Sequence, residues 1–212
     1  MESLLSIMKK IISLLKKNYA QACCTLQHAS PLTLLISTIL SAQATDKSVN
    51  AVTPDLFRRF PDAESFAKAR LASIEKIIKP LGLYKNKAKS IRNCCRILLD
   101  EFGGEVPRTM AELVRLPGVG RKTANVVLGN AFGIEEGICV DTHVGRLSRR
   151  IGLSESKDPA DVEQDLMKKV PRPDWTIISH LLIAHGRAVC DARKPDCENC
   201  FLKKPCPRKG VE

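Results

Sequence analysis

LPGVGRKTANVVL, residues 116–128, is the stretch that decides the fold. Pro117-Gly118-Val119-Gly120 forms a tight turn, because glycine tolerates φ > 0 and lets another backbone come close. Upstream, Thr109-Met110-Ala111-Glu112 has the spacing of a capping box and opens a short helix that ends near Arg115. Downstream, Arg121 to Phe132 reads as a second helix that starts at once. Its first N–H groups have no partner inside the helix and lie at the positive end of its dipole. Beside Gly118, Val119, Gly120 and Arg121 they form a receptor for a phosphate. Two short helices joined this way are a helix-hairpin-helix, which holds a protein on the DNA backbone without reading sequence. The competing reading is an ordinary helical turn. A lone G-x-G would not separate the two, but the whole string with its upstream cap favours DNA.

The flanking sequence is helical as well. Apolar residues make up 44% and aromatics only 4%, which points to aliphatic helices rather than strands, and period-2 alternation is nearly absent. Leu4, Met8, Ile11 and Leu15 recur at helical spacing. Glu2 and Lys9, Lys10, Lys16 and Lys17 interrupt the apolar run that a signal peptide needs. No run of apolar residues is long enough to span a membrane, so an intracellular chain with no targeting signal and no membrane partner is expected. Further helices are expected over Thr33–Gln43, from a cap at Asp46 toward Phe60 with an irregularity at Pro54, over Asp62–Lys68 and Leu71–Lys79, and from Asn86 to Phe102, where Gly103-Gly104 ends it. After the hairpin, Asp141 caps a helix to about Ile151, Asp158-Pro159 starts another, and the last runs from Pro173 to Val189. The chain has 212 residues and a net charge of +11, enough for one large or two small domains with an attraction for nucleic acid or anionic surfaces. Charge alone does not separate those partners from a merely well-solvated surface.

Four of the nine cysteines stand apart. Cys190, Cys197, Cys200 and Cys206 follow C-x6-C-x2-C-x5-C, a set of thiolates that suits either zinc or an iron–sulfur cluster. Zinc ribbons usually show two C-x2-C knuckles and this segment has one, so spacing leaves both open. Cys23, Cys24, Cys94, Cys95 and Cys139 form no framework and read as reduced, buried small hydrophobes. Two residues carry candidate chemistry. Lys122 is the second residue of the hairpin's second helix. Its amine could attack a sugar carbon, form a Schiff base and permit strand cleavage, once it has lost its proton. A free lysine has a pKa of about 10.4. A helix N-terminus disfavours the ammonium by roughly 0.3–1 kcal/mol, so desolvation has to supply the rest. Asp141 caps its helix and is expected to stay ionised, ready to stabilise positive charge on a sugar or to help deprotonate the incoming group. Its charge beside Lys122 would also oppose activation of the amine. Taken alone, Lys122 could be a phosphate contact and Asp141 only a cap.

LPGVGRKTANVVL, then VDTHVGRLSRRIGL at 140–153 and the terminal four cysteines, closely resembles the endonuclease III family of DNA glycosylases. SAQATDKSVN at 41–50 and GLYKNKAKSI at 82–91 match too, so the resemblance covers nearly the whole chain. It implies an all-α, two-lobed helix-hairpin-helix DNA glycosylase fold. A six-helix lobe is expected at 21–132, and an iron–sulfur cluster lobe at 1–20 and 133–212, with DNA in the cleft between the lobes. It further implies Lys122 as nucleophile, Asp141 as essential carboxylate, and a [4Fe–4S] cluster on the four cysteines. The partner is damaged double-stranded DNA bound by a monomer, with oxidised or ring-damaged pyrimidines and abasic sites as substrates. Arg193 and Lys194, between the first two cysteines, lie where related proteins contact DNA phosphates. A base must leave the duplex to be reached, at a cost of a few kcal/mol. The resemblance makes Gln43 the residue that fills the vacated space, and Leu83 can serve as an apolar wedge of the kind that unstacks base steps; the plainer readings are a surface polar residue and a core leucine.

Other residues are read more plainly. Arg146, Arg149 and Arg150 are three and four apart and could form a cationic helix face. His143 reads as a hydrogen-bonded structural histidine, and His28, His180 and His185 as packing residues. Two rival functions remain. A monofunctional mismatch glycosylase of the same superfamily lacks a lysine at position 122, and its adenine-mismatch type carries a further C-terminal domain. A non-catalytic helix-hairpin-helix module needs neither Lys122 nor Asp141.

Overall fold

Aliphatic residues at helical spacing give eleven α-helices and two 3-10 turns, with no strand among the described residues. The computed structural model describes residues 4–211; Glu2 and the side chain of Leu4, part of the N-terminal reading, lie outside the described residues. The helices are α1 (Leu4–Asn18), α2 (Pro31–Leu40), α3 (Asp46–Arg59), α4 (Ala63–Lys68), α5 (Leu71–Ile78), α6 (Tyr84–Phe102), α7 (Met110–Leu113), α8 (Arg121–Phe132), α9 (Thr142–Ile151), α10 (Pro159–Lys169) and α11 (Trp175–Ala188). Among the described residues no helix is long and apolar enough to cross a membrane. The chain divides into two compact units: Cys24–Ile134, and the residues up to Cys23 together with those from Glu135 onward.

The Cys24–Ile134 unit is built around α2. Leu34 to Leu40 are buried without a break, so the helix is enclosed on all sides rather than lying on a surface. Ser30 caps it in a full capping box with Thr33, and Pro31 occupies its first turn, where a missing N–H costs nothing. Around α2 pack α8, α6 and α3, and Phe66 of α4 is buried with the Phe60 ring 5.1 Å away. Cys94 and Cys95 lie in this core, where burial pushes the Cys94 thiol up to about 12 and so keeps it protonated and inert.

The other unit packs one face of α1, namely Met8, Ile11, Ile12 and Leu15, with Ile178, Leu181 and Leu182 of α11 and with Val144, Leu147 and Ile151 of α9. At roughly 1.5–3 kcal/mol per buried aliphatic side chain, this face is what makes α1 part of a folded unit.

Local details differ from the sequence reading. Helix α2 stops at Leu40, so Gln43 lies in the turn that follows it. Thr45, not Asp46, caps α3, because its hydroxyl accepts from the Ser48 N–H at 3.2 Å. The helix then runs through Pro54 without a break. Thr109 caps α7, but the box is half built: Glu112 turns to accept from the Thr109 hydroxyl at 2.6 Å instead of reaching the cap's N–H. Cys23 is exposed and Cys24 and Cys139 half-buried, so only Cys94 and Cys95 meet the expectation of buried hydrophobes.

Candidate DNA-binding and catalytic site

The hairpin turn is anchored from beneath. Leu116 and Val119 are buried, and the Val119 N–H donates to the Leu116 carbonyl at 3.0 Å. Val119 therefore shapes the turn, and its N–H is engaged within it. Gly118 has φ +84°, and a Cβ there would lie 3.0 Å from Ser90 Cβ and 3.3 Å from Ile39 Cγ2. The turn needs glycine at 118 on both counts. Gly120 is different: its φ is −97° and a Cβ would meet nothing within 4 Å. It is the N-cap of α8 and brings no side-chain hydrogen bond to that helix's exposed first residues. Lys122 stands in this first turn with its side chain exposed, as does Arg121. Exposure means that the chain alone does not desolvate the Lys122 amine.

Gln43 and Leu83 belong to the same unit and share an unusual backbone. Both are exposed, Leu83 at 55%, and both hold positive φ, 55° and 45°. Arg208 is the one further non-glycine residue with positive φ among those described. Left-handed backbone costs an L-residue about 1–2 kcal/mol. A large apolar side chain held in water on a strained backbone is doubly unfavourable for folding, and such outliers cluster where a site is preorganised. The two residues read as duplex-opening groups are thus two of three places where the described chain carries this strain.

Asp141 lies in the other unit. Its extended backbone precedes α9, and Oδ1 accepts from the Val144 N–H at 2.8 Å. Among the described residues no hydrogen bond from the chain reaches Oδ2, so one oxygen caps the helix and the other makes no such bond. Close in sequence, His143 Nδ1 accepts from the Arg146 guanidinium across 3.2 Å, and burial holds the His143 pKa down. This agrees with a structural histidine.

The cysteine segment is held by residues that sequence reasoning had placed elsewhere. Arg150 is buried, and it donates through NH1 to the Asp191 carbonyl at 2.6 Å and through NH2 to the Ala192 carbonyl at 2.8 Å. NH1 also lies 3.4 Å from Cys190 Sγ. Arg146 NH2 donates to the carbonyls of Cys190 and Gly186 at 3.0 and 3.2 Å. Two of the three arginines of the expected cationic face therefore point inward to the cysteine segment. The third, Arg149, donates to the Ser156 carbonyl at 3.3 Å. His185 is likewise more than packing. The Tyr19 hydroxyl lies 2.9 Å from Nδ1, and Nε2 lies 3.5 Å from Cys200 Sγ. Burial pushes its pKa down to about 4, which keeps the ring neutral. When Tyr19 donates to Nδ1, the ring presents its Nε2–H to the sulfur. Nothing in the sequence spacing could have paired residues 19, 185 and 200.

Burial raises the pKa values of Cys200 and Cys206, and the neighbouring cysteines raise both further. The four thiols are therefore close enough to oppose one another's ionisation. Among the described residues no three His, Cys, Asp or Glu side chains converge closely enough to share a single ion. Between the first two cysteines the loop is set by Asp191, whose Oδ1 accepts from the N–H groups of Arg193 and Lys194 at 2.8 and 3.2 Å. Those backbone bonds hold the Asp191 pKa down, and the Arg193 and Lys194 side chains are exposed.

Known proteins match this arrangement over almost the whole chain. Residues 36–172 match the model of the HhH-GPD superfamily base excision DNA repair proteins. Endonuclease III of Synechocystis is 54% identical over 198 residues, covering 93% of this chain and 90% of that one. The structure is similar to that of a non-covalent endonuclease III–DNA complex and to that of a trapped endonuclease III–DNA covalent intermediate. Each has a TM-score of 0.90 and 41% identity, and each match covers 98% of this chain and 97% of the other. With its all-α fold, its hairpin and its terminal cysteines, the chain belongs to the endonuclease III family of helix-hairpin-helix base excision DNA repair proteins.

Proposed function

We propose that this chain is a bifunctional DNA glycosylase and abasic-site lyase that removes oxidised or ring-damaged pyrimidines from duplex DNA. The observation that carries the reading is a lysine, Lys122, in the first turn of the hairpin's second helix in a member of this family. A covalent DNA intermediate has been trapped for the endonuclease III it resembles. The Lys122 amine attacks the deoxyribose C1′ and the C1′–N bond to the base breaks, with the base leaving on its electron pair and taking up a proton. The C1′–O4′ bond then breaks, O4′ keeping the electron pair and taking up a proton, and an iminium is left between C1′ and the lysine nitrogen. The iminium acidifies the C2′ proton, and loss of that proton expels the phosphate at C3′, which cuts the strand. The free oxygen of Asp141 stabilises positive charge on the sugar while its partner oxygen keeps α9 capped. Because Lys122 is exposed, the bound DNA itself must desolvate the amine. Gln43 fills the vacated space in the duplex, where its amide can both donate to and accept from the orphaned base. Leu83 wedges the stack. A duplex carrying one oxidised pyrimidine tests the reading. Free base together with a cleaved strand is the expected product, whereas free base with an intact strand marks a monofunctional enzyme.

Cys190, Cys197, Cys200 and Cys206 fit a [4Fe–4S] cluster. Four cysteines supply one thiolate for each iron, and the Arg150 guanidinium beside Cys190 Sγ and the His185 ring beside Cys200 Sγ offer donors to the sulfurs of such a centre. When bound, the cluster supplies cationic centres that neutralise the thiolates and tie down a tail too short to fold alone. Arg150 and Arg146 hold the Cys190–Ala192 backbone, and Arg193 and Lys194 meet DNA phosphates. Anaerobically purified protein is expected to be brown and to contain about four irons per chain. Stoichiometric zinc without iron contradicts this assignment.

The two glycines of the hairpin separate folding from binding. Gly118→Val places a β-branched residue at positive φ against Ser90 and Ile39, and should cost about 2–4 kcal/mol of stability. Gly120→Val meets open space, so the melting temperature should hold while affinity for duplex DNA falls about tenfold, the size of a lost hydrogen bond to a charged group. If about five phosphates are neutralised, log K should fall against log salt with a slope near −4 to −5. Gly120→Val removes no cation and should leave that slope within about one unit, whereas Arg193→Ala should lower it by about one. An anisotropy salt titration reads all three variants. Undiminished affinity in Gly120→Val means that the amides of α8 do not receive a phosphate.

A further inference from the structure

Lys87 is a buried cation with no role in the chemistry above. It lies in the first turn of α6 and is only 5% exposed. Among the described residues its ammonium donates one hydrogen bond, from Nζ to the Leu81 carbonyl at 3.1 Å, and no carboxylate lies within ion-pair distance. A buried ammonium with one neutral partner is costly. Burial holds its pKa down, and the positive end of a helix dipole is an unfavourable place for it. A methionine of similar shape would pack there without these costs, so the fold does not require the charge.

The partner of that ammonium shows where the bond acts. Leu81 ends the 3-10 turn Lys79–Leu81, and the chain leaves it through Gly82 at φ 64°, ψ 162° and Leu83 at φ 45°, ψ 23°. Leu83 then caps α6 without a side-chain hydrogen bond. The two residues between the Leu81 carbonyl and Tyr84 thus carry the strained part of the loop. The Lys87 side chain holds the loop's first end from inside, while its own N–H donates to the Leu83 carbonyl at 3.1 Å and holds the second. One residue is bonded to the chain on both sides of Leu83.

We propose that Lys87 is a positioning residue for duplex opening: its two bonds, to the Leu81 and Leu83 carbonyls, lock the left-handed loop that presents the Leu83 side chain to DNA. The inference rests on the reading of Leu83 as the wedge. A wedge that must unstack bases gains from being fixed before binding, since disorder in the free loop would have to be removed on the DNA. The lysine acts through the leucine and touches no reacting atom.

The test uses the full-length protein loaded with its cluster and a duplex holding a non-cleavable abasic analogue opposite 2-aminopurine, whose fluorescence rises when it unstacks. At saturating protein, Lys87→Met should lose most of the fluorescence rise, by about fivefold or more. Amides 83–86 should exchange hydrogen faster than in the parent protein. Lys87→Arg, which keeps a charged donor, should retain more of the signal than Lys87→Met, and it also serves if the methionine variant does not fold. Leu83→Ala should lose the signal as well, and Lys87→Met added to Leu83→Ala should change nothing further. If Leu83→Ala keeps the full signal, the wedge reading fails. If Leu83→Ala loses it while a folded Lys87→Met, or a Lys87→Arg with faster exchange at 83–86, keeps it, the wedge stands and the Lys87 proposal is overturned. Losses that multiply in the double variant also overturn it, since Lys87 would then act by another route.

Discussion

Lys122→Gln should abolish strand cleavage and borohydride trapping, lowering the cleavage rate by about 10⁴-fold or more, the scale seen when a covalent nucleophile is removed. The fold should not suffer. Lys122 is exposed in the first turn of α8, and removing an ammonium from a helix N-terminus is neutral or mildly stabilising. Affinity for undamaged duplex should fall by no more than the loss of one phosphate contact, because the amides around Gly120 remain. The combination matters: a dead enzyme that still melts and binds normally assigns the lysine to chemistry. Single-turnover cleavage of an abasic duplex, with a melting curve and an anisotropy titration on the same sample, supplies all three readings. Residual trapping in purified Lys122→Gln would transfer the covalent role to another amine.

Asp141→Asn should lower base excision by about 10²–10³-fold, the range for a positioned acid–base or electrostatic group. Asn caps a helix about as well as Asp, and the Val144 N–H keeps an oxygen acceptor, so stability should change by less than about 1 kcal/mol, mainly through the helix dipole. The unused Oδ2 is what the substitution alters, replacing a negative oxygen with an amide donor. Alanine at the same position would mix the loss of the cap with the loss of the charge, which is why asparagine is the informative change. An excision rate near that of the parent protein would reduce Asp141 to a cap.

The hairpin was legible because its signals are local. Helix α8 runs from Arg121 to Phe132 as read, since a proline–glycine turn and a αL glycine at 133 fix both ends within a few residues. Asp141 and Asp158 were identified as caps for the same reason. What escaped is long-range. Arg146 and Arg150 share helical spacing with Arg149 and looked like a solvated or DNA-facing stripe, yet they bind carbonyls some forty residues further on. Neither the Tyr19–His185–Cys200 chain nor the burial of Lys87 leaves any mark in periodicity. The strain at Gln43 and Leu83 was also invisible, since neither residue type signals a positive φ. Nor does the turn motif indicate that the turn itself consumes the Val119 N–H.

The central claim is that the amine at residue 122 becomes bonded to the sugar. The direct measurement is to incubate the anaerobically purified protein with a duplex containing one oxidised pyrimidine in the presence of borohydride, digest the reduced adduct, and locate the modified residue by mass spectrometry. The account predicts a single adduct, on Lys122. An adduct on any other amine, or free base released with no adduct at all, would contradict it.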